Sequence, residues 1–171
     1  MEGPEEMESA GEKRVYQDSE RTPGWLRTYV GEDFNVTFEP EDSLMNPLAD
    51  DWQGFSFAHP PHAEAQLWCD KAAKEAEKGH HSVLLLPAVF NSVYWREIVY
   101  RHATEVRVFT CPVKMPHAKK QIVSQMCLVV FAGTAGRDPA YPYPPVFPVE
   151  PTNWRENYYK RQRNMLRFGN H

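Results

Sequence analysis

Residues 54–87 read GFSFAHPPHAEAQLWCDKAAKEAEKGHHSVLLLP, and their order decides the fold. Gly54-Phe55-Ser56-Phe57-Ala58 alternates as a strand does, and Pro60-Pro61 stops it because proline cannot donate to a ladder. A helix is expected from about Glu64 to Lys78. Ala65, Trp68, Cys69, Ala72 and Ala76 recur at three- and four-residue steps, while Asp70, Lys71, Lys74, Glu75 and Lys78 take the remaining faces. Gly79 suits its C-terminal stop. Ser82-Val83-Leu84-Leu85-Leu86 is a continuous apolar run, as expected of a strand buried on both faces, and Pro87 closes it.

The pattern repeats downstream. Asn91 can cap a second helix whose Tyr94, Trp95, Ile98 and His102 share one side. Glu105-Val106-Arg107-Val108-Phe109 and Met126-Cys127-Leu128-Val129-Val130-Phe131 read as two more strands. Strand, helix, strand, helix, strand predicts the α/β class: a mainly parallel sheet with right-handed crossovers, flanked by helices, in a single compact domain. Upstream, order is expected to begin at Thr22-Pro23-Gly24-Trp25-Leu26, with proline in a first helical turn and Thr22 as N-cap. Asn35-Val36-Thr37-Phe38 is a short β-branched and aromatic run, read as a first strand.

The two ends of the chain differ in charge. Residues 1–19 are acidic and poor in apolar side chains, which predicts a disordered arm. Residues 135–152 include DPAYPYPPVFPVEP and predict extended polyproline geometry. Residues 153–171 predict a terminal helix in which Arg155, Lys160, Arg161, Arg163 and Arg167 are opposed by Glu156. The proline-rich segment and this basic helix are the expected docking elements for a partner protein. A net charge of −4 argues against a protein given over wholly to coating nucleic acid. Cys69, Cys111 and Cys127 are far apart and imply no disulfide framework. No apolar run reaches the roughly 18 residues that span a bilayer, so a soluble intracellular protein of cytoplasm or nucleus, without a membrane partner, is expected.

Seven elements stand in a fixed order along the chain: Thr22-Pro23, Glu39, Trp52-Gln53-Gly54, His59-Pro60-Pro61-His62, Trp68 with Lys71-Ala72, Leu85-Leu86-Pro87-Ala88 and Tyr94-Trp95. Over roughly residues 20–133 this order resembles the short Dam-type DNA adenine methyltransferases of phages and prophages, in which Asn-Pro-Pro-Tyr follows the strand. The resemblance implies a Rossmann-like methyltransferase fold over residues 20–134. It also implies S-adenosylmethionine as cofactor near Thr22, Pro23 and Glu39, DNA or RNA as partner, and His59, Pro60, Pro61 and His62 as the catalytic turn. Family members move a methyl group to the exocyclic amine of a flipped adenine. The turn's Asn oxygen and a proline-loop carbonyl accept the amine hydrogens, and its aromatic ring stacks on the base, a contact of about 1–3 kcal/mol.

The turn departs from that pattern at both variable positions. His59 stands in place of the amide and His62 in place of the aromatic ring. Neutral imidazole offers one acceptor lone pair and the protonated ring none. Losing such a group costs roughly 10²–10³ in rate. Glu39 is one methylene longer than Asp, and Pro40 after it removes a backbone donor. The expectation is a pseudo-methyltransferase, reduced or inactive, working in a nucleic-acid-associated or protein complex. Two alternatives stay open: an active adenine methyltransferase that uses His59 for Asn, and an interaction subunit that binds neither cofactor nor base.

Blander readings stand beside these. His59 and His62 also suit a purely structural turn. A metal reading would join them to Cys111 and His117, but no close-spaced ligand completes the set and no metal is expected. Trp68 and Trp95 are expected in the core and Trp52 as a packed loop anchor. His80-His81 reads as a solvated helix end. Lys114, Lys119 and Lys120 form a basic loop suited to phosphate contacts.

Overall fold

The computed structural model describes residues 22–40, 45–113, 115, 125–133, 140 and 142–150. The acidic arm, Lys114, Lys119, Lys120 and the basic residues of 153–171 lie outside them, as does part of the proline-rich stretch.

The expected strand–helix–strand unit is present as β1 (Phe55–Ala58), a 3₁₀ turn (His62–Glu64), α2 (Ala65–Glu77) and β2 (His81–Pro87). It follows α1 (Gly24–Phe34). β1 and β2 pair in parallel, Phe55 opposite His81 and Ala58 opposite Leu84. Gly54 opens β1 at φ +55°, and a Cβ there would lie 2.4 Å from Thr37 Oγ1, so only glycine fits.

Three further strands complete one mixed sheet: β3 (Glu105–Phe109), β4 (Met126–Phe131) and β5 (Val146–Val149), in the order β1-β2-β4-β3-β5. β4 runs antiparallel to both β2 and β3, while β3 and β5 are parallel. The expectation of a mainly parallel sheet is therefore met only in part, because β4 is inserted against the common direction. β5 comes from the proline-rich stretch read as polyproline. Pro148 is tolerated there because β5 is an edge strand.

The apolar run of β2 does what its sequence implies. Its alternate side chains feed two cores. Leu84 and Leu86 join Trp68, Cys69 and Ala72 of α2, with Cys127, Val129 and Phe131 of β4. Val83 and Leu85 join Leu26, Val30 and Phe34 of α1, with Leu128 and Phe109. Arg107 of β3 fastens α1 to the sheet by donating to Tyr29 Oη at 2.9 Å and to the Asp33 carboxylate, with its guanidinium 4.3 Å from the Phe34 ring centre. The second helix begins as a π-helical turn (Trp95–Val99) and ends as α3 (Tyr100–His102), which moves burial to Trp95, Val99 and Ala103. Trp52, Trp68 and Trp95 are all buried, Trp52 donating its indole N–H to the Pro47 carbonyl at 2.7 Å.

Three local readings are corrected. The strand expected at 35–38 is reduced to one parallel bridge, Phe38 with Ser56. Helix α1 consumes the chain through Phe34, Asn35 turns it at φ 51°, and Pro40 removes the next donor, leaving too few residues for a ladder. Thr22 does not cap α1: Pro23 is the N-cap residue, with no side-chain bond. His80 and His81 are not a solvated helix end. His80 Nδ1 lies 2.8 Å from Glu75 Oε2, and His81 opens β2.

Candidate functional site

His59 leaves the carboxyl end of β1 directly before Pro60 and Pro61. A residue preceding proline is held extended, and Pro61 itself is extended at φ −54°, ψ 135° before the 3₁₀ turn begins. Two rings in succession thus fix how the chain passes from strand to helix. The consequence is a divergence of the histidines: His59 is 5% exposed and His62 lies on the surface, with ring centres 6.5 Å apart. Glu64 at the end of this turn accepts the Trp68 indole N–H at 3.3 Å, tying the turn to α2.

Glu39 follows the bridge residue Phe38, whose carbonyl accepts Phe57 N–H at 3.0 Å. Because that bridge is parallel, Glu39 and His59 both emerge at the carboxyl edge of the sheet, where ligands bind in open α/β folds. The start of α1 holds each of them. Thr22 Oγ1 lies 2.9 Å from His59 Nδ1, and Arg27 Nη1 donates to Glu39 Oε2 at 2.8 Å. Arg27 lies in the first turn of α1 and Thr22 just before its N-cap residue Pro23, so the two tethers leave the same end of the helix.

The structure therefore brings together Thr22, Pro23, Glu39, His59 and Pro60 around the beginning of α1, and turns His62 outward. Arg27 gave no signal in the sequence, since its partner lies across a loop. The hydroxyl of Thr22 and one oxygen of Glu39, expected to face S-adenosylmethionine, are engaged by His59 and Arg27. As arranged, both groups are engaged within the chain rather than turned wholly towards that cofactor.

A second polar cluster lies at the opposite, amino end of β1 and β2. Glu75 is fully buried, and its carboxylate accepts from Lys71 Nζ (2.6 Å), Lys78 Nζ (3.2 Å) and Trp52 N–H (3.1 Å), and pairs with His80 Nδ1 (2.8 Å). Burial alone would raise its pKa. The bonds from Lys71, His80, Lys78 and the Trp52 amide outweigh that and lower it to about 2. A groove of about 540 Å³ runs beside it along α2, lined by Leu48, Leu67, Asp70, Lys74 and Lys78 among others, none of them from the double-proline turn. Among the described residues no group of three or more His, Cys, Asp or Glu can hold a metal ion. Burial pushes the Cys69 and Cys127 thiols up, which makes both inert. No helix of the described residues is long and apolar enough to cross a membrane.

No family model matches the chain, and no solved structure matches it. It is similar to the DNA N-6-adenine-methyltransferase of Haemophilus phage HP1 (strain HP1c1), being 24% identical over 119 residues, which cover 61% of this chain and 69% of that protein. This likeness supports a distant link between the chain and methyltransferases.

Proposed function

We propose that the chain is a Dam-like adenine-N6 DNA methyltransferase domain whose catalytic power is reduced or lost, and that it acts on or beside nucleic acid in a larger complex. The observation that carries this reading is the meeting of Glu39 and the His59-Pro60-Pro61-His62 turn at one sheet edge, in the segment order of a DNA adenine methyltransferase. The loss of power follows from chemistry. An imidazole and an outward-facing second histidine stand where an amide and a stacking ring would work, and the expected cofactor residues are already bonded within the chain. Nucleic acid is the expected partner, with the basic loop of Lys114, Lys119 and Lys120 as its phosphate contact. The basic residues of 153–171 supply the partner-protein contact.

The test is transfer of a labelled methyl group from S-adenosylmethionine to adenine-containing DNA and RNA. Wild type should transfer slowly or not at all. The double substitution His59→Asn, His62→Tyr should raise transfer, by up to roughly 10²–10³ if the lost hydrogen-bonding group is the main deficit. Robust wild-type turnover that His59→Ala abolishes would instead establish the active enzyme. Titration calorimetry showing no binding of cofactor or of any oligonucleotide would leave the interaction subunit.

A further inference from the structure

We propose that residues 153–168 form an amphipathic helix that packs, apolar side inward, on the α1 face of the sheet beside the edge strand β5, with its basic side outward. Three observations meet in this placement. That face carries one helix, the strip beside it is apolar, and the segment that follows in the chain has the matching pattern.

Five strands at about 4.8 Å spacing put the outer two about 19 Å apart, and packed helices stand about 10 Å from one another, so each face has room for two. The face of Leu84, Leu86 and Val106 has two, α2 and the helix over Trp95–His102. Among the described residues, the opposite face has α1, with Val113 of the loop after β3. The register shows which strip remains. Phe147 stands opposite Arg107 and Val149 opposite Phe109, so both point to the side on which Arg107 bonds to Tyr29 and Phe109 enters the α1 core. Phe147 is 47% exposed there. Trp25 of α1, whose ring meets that of Phe109 edge-on, is 36% exposed. Large apolar side chains left open side by side mark a surface to be covered.

The occupant is the segment that follows. β5 ends at Val149, so residue 153 starts within a few residues of the open strip. Residues 153–168 read NWRENYYKRQRNMLRF. At helical spacing Trp154, Tyr158, Met165 and Phe168 fall on one side, and Lys160, Arg163 and Arg167 fall on the other. Arg161 falls inside the apolar stripe. Asp33, bonded to Arg107, and Glu32, seven residues after Trp25, give the neighbouring side of α1 the opposite charge. The placement does not depend on the function proposed above. It fixes on the domain, as one ridge, the cations that the function assigns to a partner.

Hydrogen exchange and nuclear Overhauser contacts on the full chain test this. Amides of 153–168 should exchange about tenfold or more slower than an unstructured chain, equally at high and low protein concentration. Ring protons of Phe147 and Trp25 should show contacts to Trp154, Tyr158, Met165 or Phe168. Phe147→Asp should remove the protection of 153–168 and leave that of β1, α2 and β2. Trp154→Asp should do the same, and it decides the matter if Phe147→Asp does not fold. Absence of protection in the wild type overturns the proposal, as does protection that survives either substitution in a folded protein. Protection lost on dilution would put a second copy on this face, and contacts to Tyr143 and Val146 instead would put the segment on the other one; each overturns it.

Discussion

The two ends of the central strands treat polar side chains in opposite ways. At the amino end of β1 and β2, a fully buried carboxylate is bonded by two lysines and a histidine from α2 and the turn after it, and by the backbone amide of Trp52 just before β1. At the carboxyl end, a buried hydrogen-bonded pair, Thr22 with His59, and a part-exposed ion pair, Arg27 with Glu39, join the start of α1 to the strand ends across loops. The first cluster closes the β1–α2–β2 unit. The second positions two side chains at the carboxyl edge of the sheet. Substitutions at the amino end should therefore cost stability, and those at the carboxyl end should change binding and leave the fold standing.

The largest effect is expected from Glu75→Ala. Removing one member of a buried ion pair leaves the other charge without compensation, typically at about 3–5 kcal/mol. Lys71, itself buried, would be that charge. Urea unfolding should show the loss as a shifted midpoint. Replacing Lys71 and Glu75 together by methionine should recover much of it, since an apolar pair needs no partner. A loss below about 1 kcal/mol for Glu75→Ala would erase the contrast between the two ends.

The same carboxylate sets an acid limit. Its folded pKa of about 2 lies below the ordinary 4.5, so the stability it contributes is fully present above pH 4.5 and disappears as pH falls towards 2. A displacement of about 2.5 units corresponds to about 3 kcal/mol. Denaturant midpoints measured from pH 5 to 2 should fall steeply for wild type and less steeply for Glu75→Gln. Parallel curves would mean that other carboxylates dominate acid unfolding.

His59→Gln is expected to cost less. It removes one side-chain hydrogen bond in a partly rearrangeable turn, about 1 kcal/mol. The fold of the β1–α2–β2 unit should persist in the amide spectrum. A collapse comparable to that of Glu75→Ala would make the turn structural, as its blander reading holds.

Much of this was legible along the chain. The 34-residue run that opens β1 and closes β2 carries its own punctuation, so strand, helix and strand emerge within a few residues of expectation. What escaped depends on contacts distant in sequence. Glu75 was assigned to the solvated side of α2, yet it lies seven residues from Trp68 and three from Ala72, on the buried stripe. The spacing held that information, and residue type obscured it. Thr22 offered a local role as a cap, and a hydroxyl that has two uses cannot announce which one tertiary structure selects. The reversed β4 is hidden because strands of either direction have the same composition. At the candidate site, the sequence singles out the turn and the acid, and it does not show that Thr22 and Arg27 bond to them.

Arg27→Gln should have the smallest effect on stability and sharpens the comparison most cleanly. The pair it breaks is part-exposed, with side chains about one-third and one-quarter accessible, and such pairs contribute about 0–1 kcal/mol. Unfolding midpoints should barely move. If Glu39 is the residue that meets the cofactor, its release from Arg27 should raise the affinity for S-adenosylmethionine several-fold in a calorimetric titration. An unchanged affinity would separate Glu39 from cofactor binding. A loss of affinity would make Arg27 itself a ligand contact, and the edge would then be read by its cation rather than by its carboxylate.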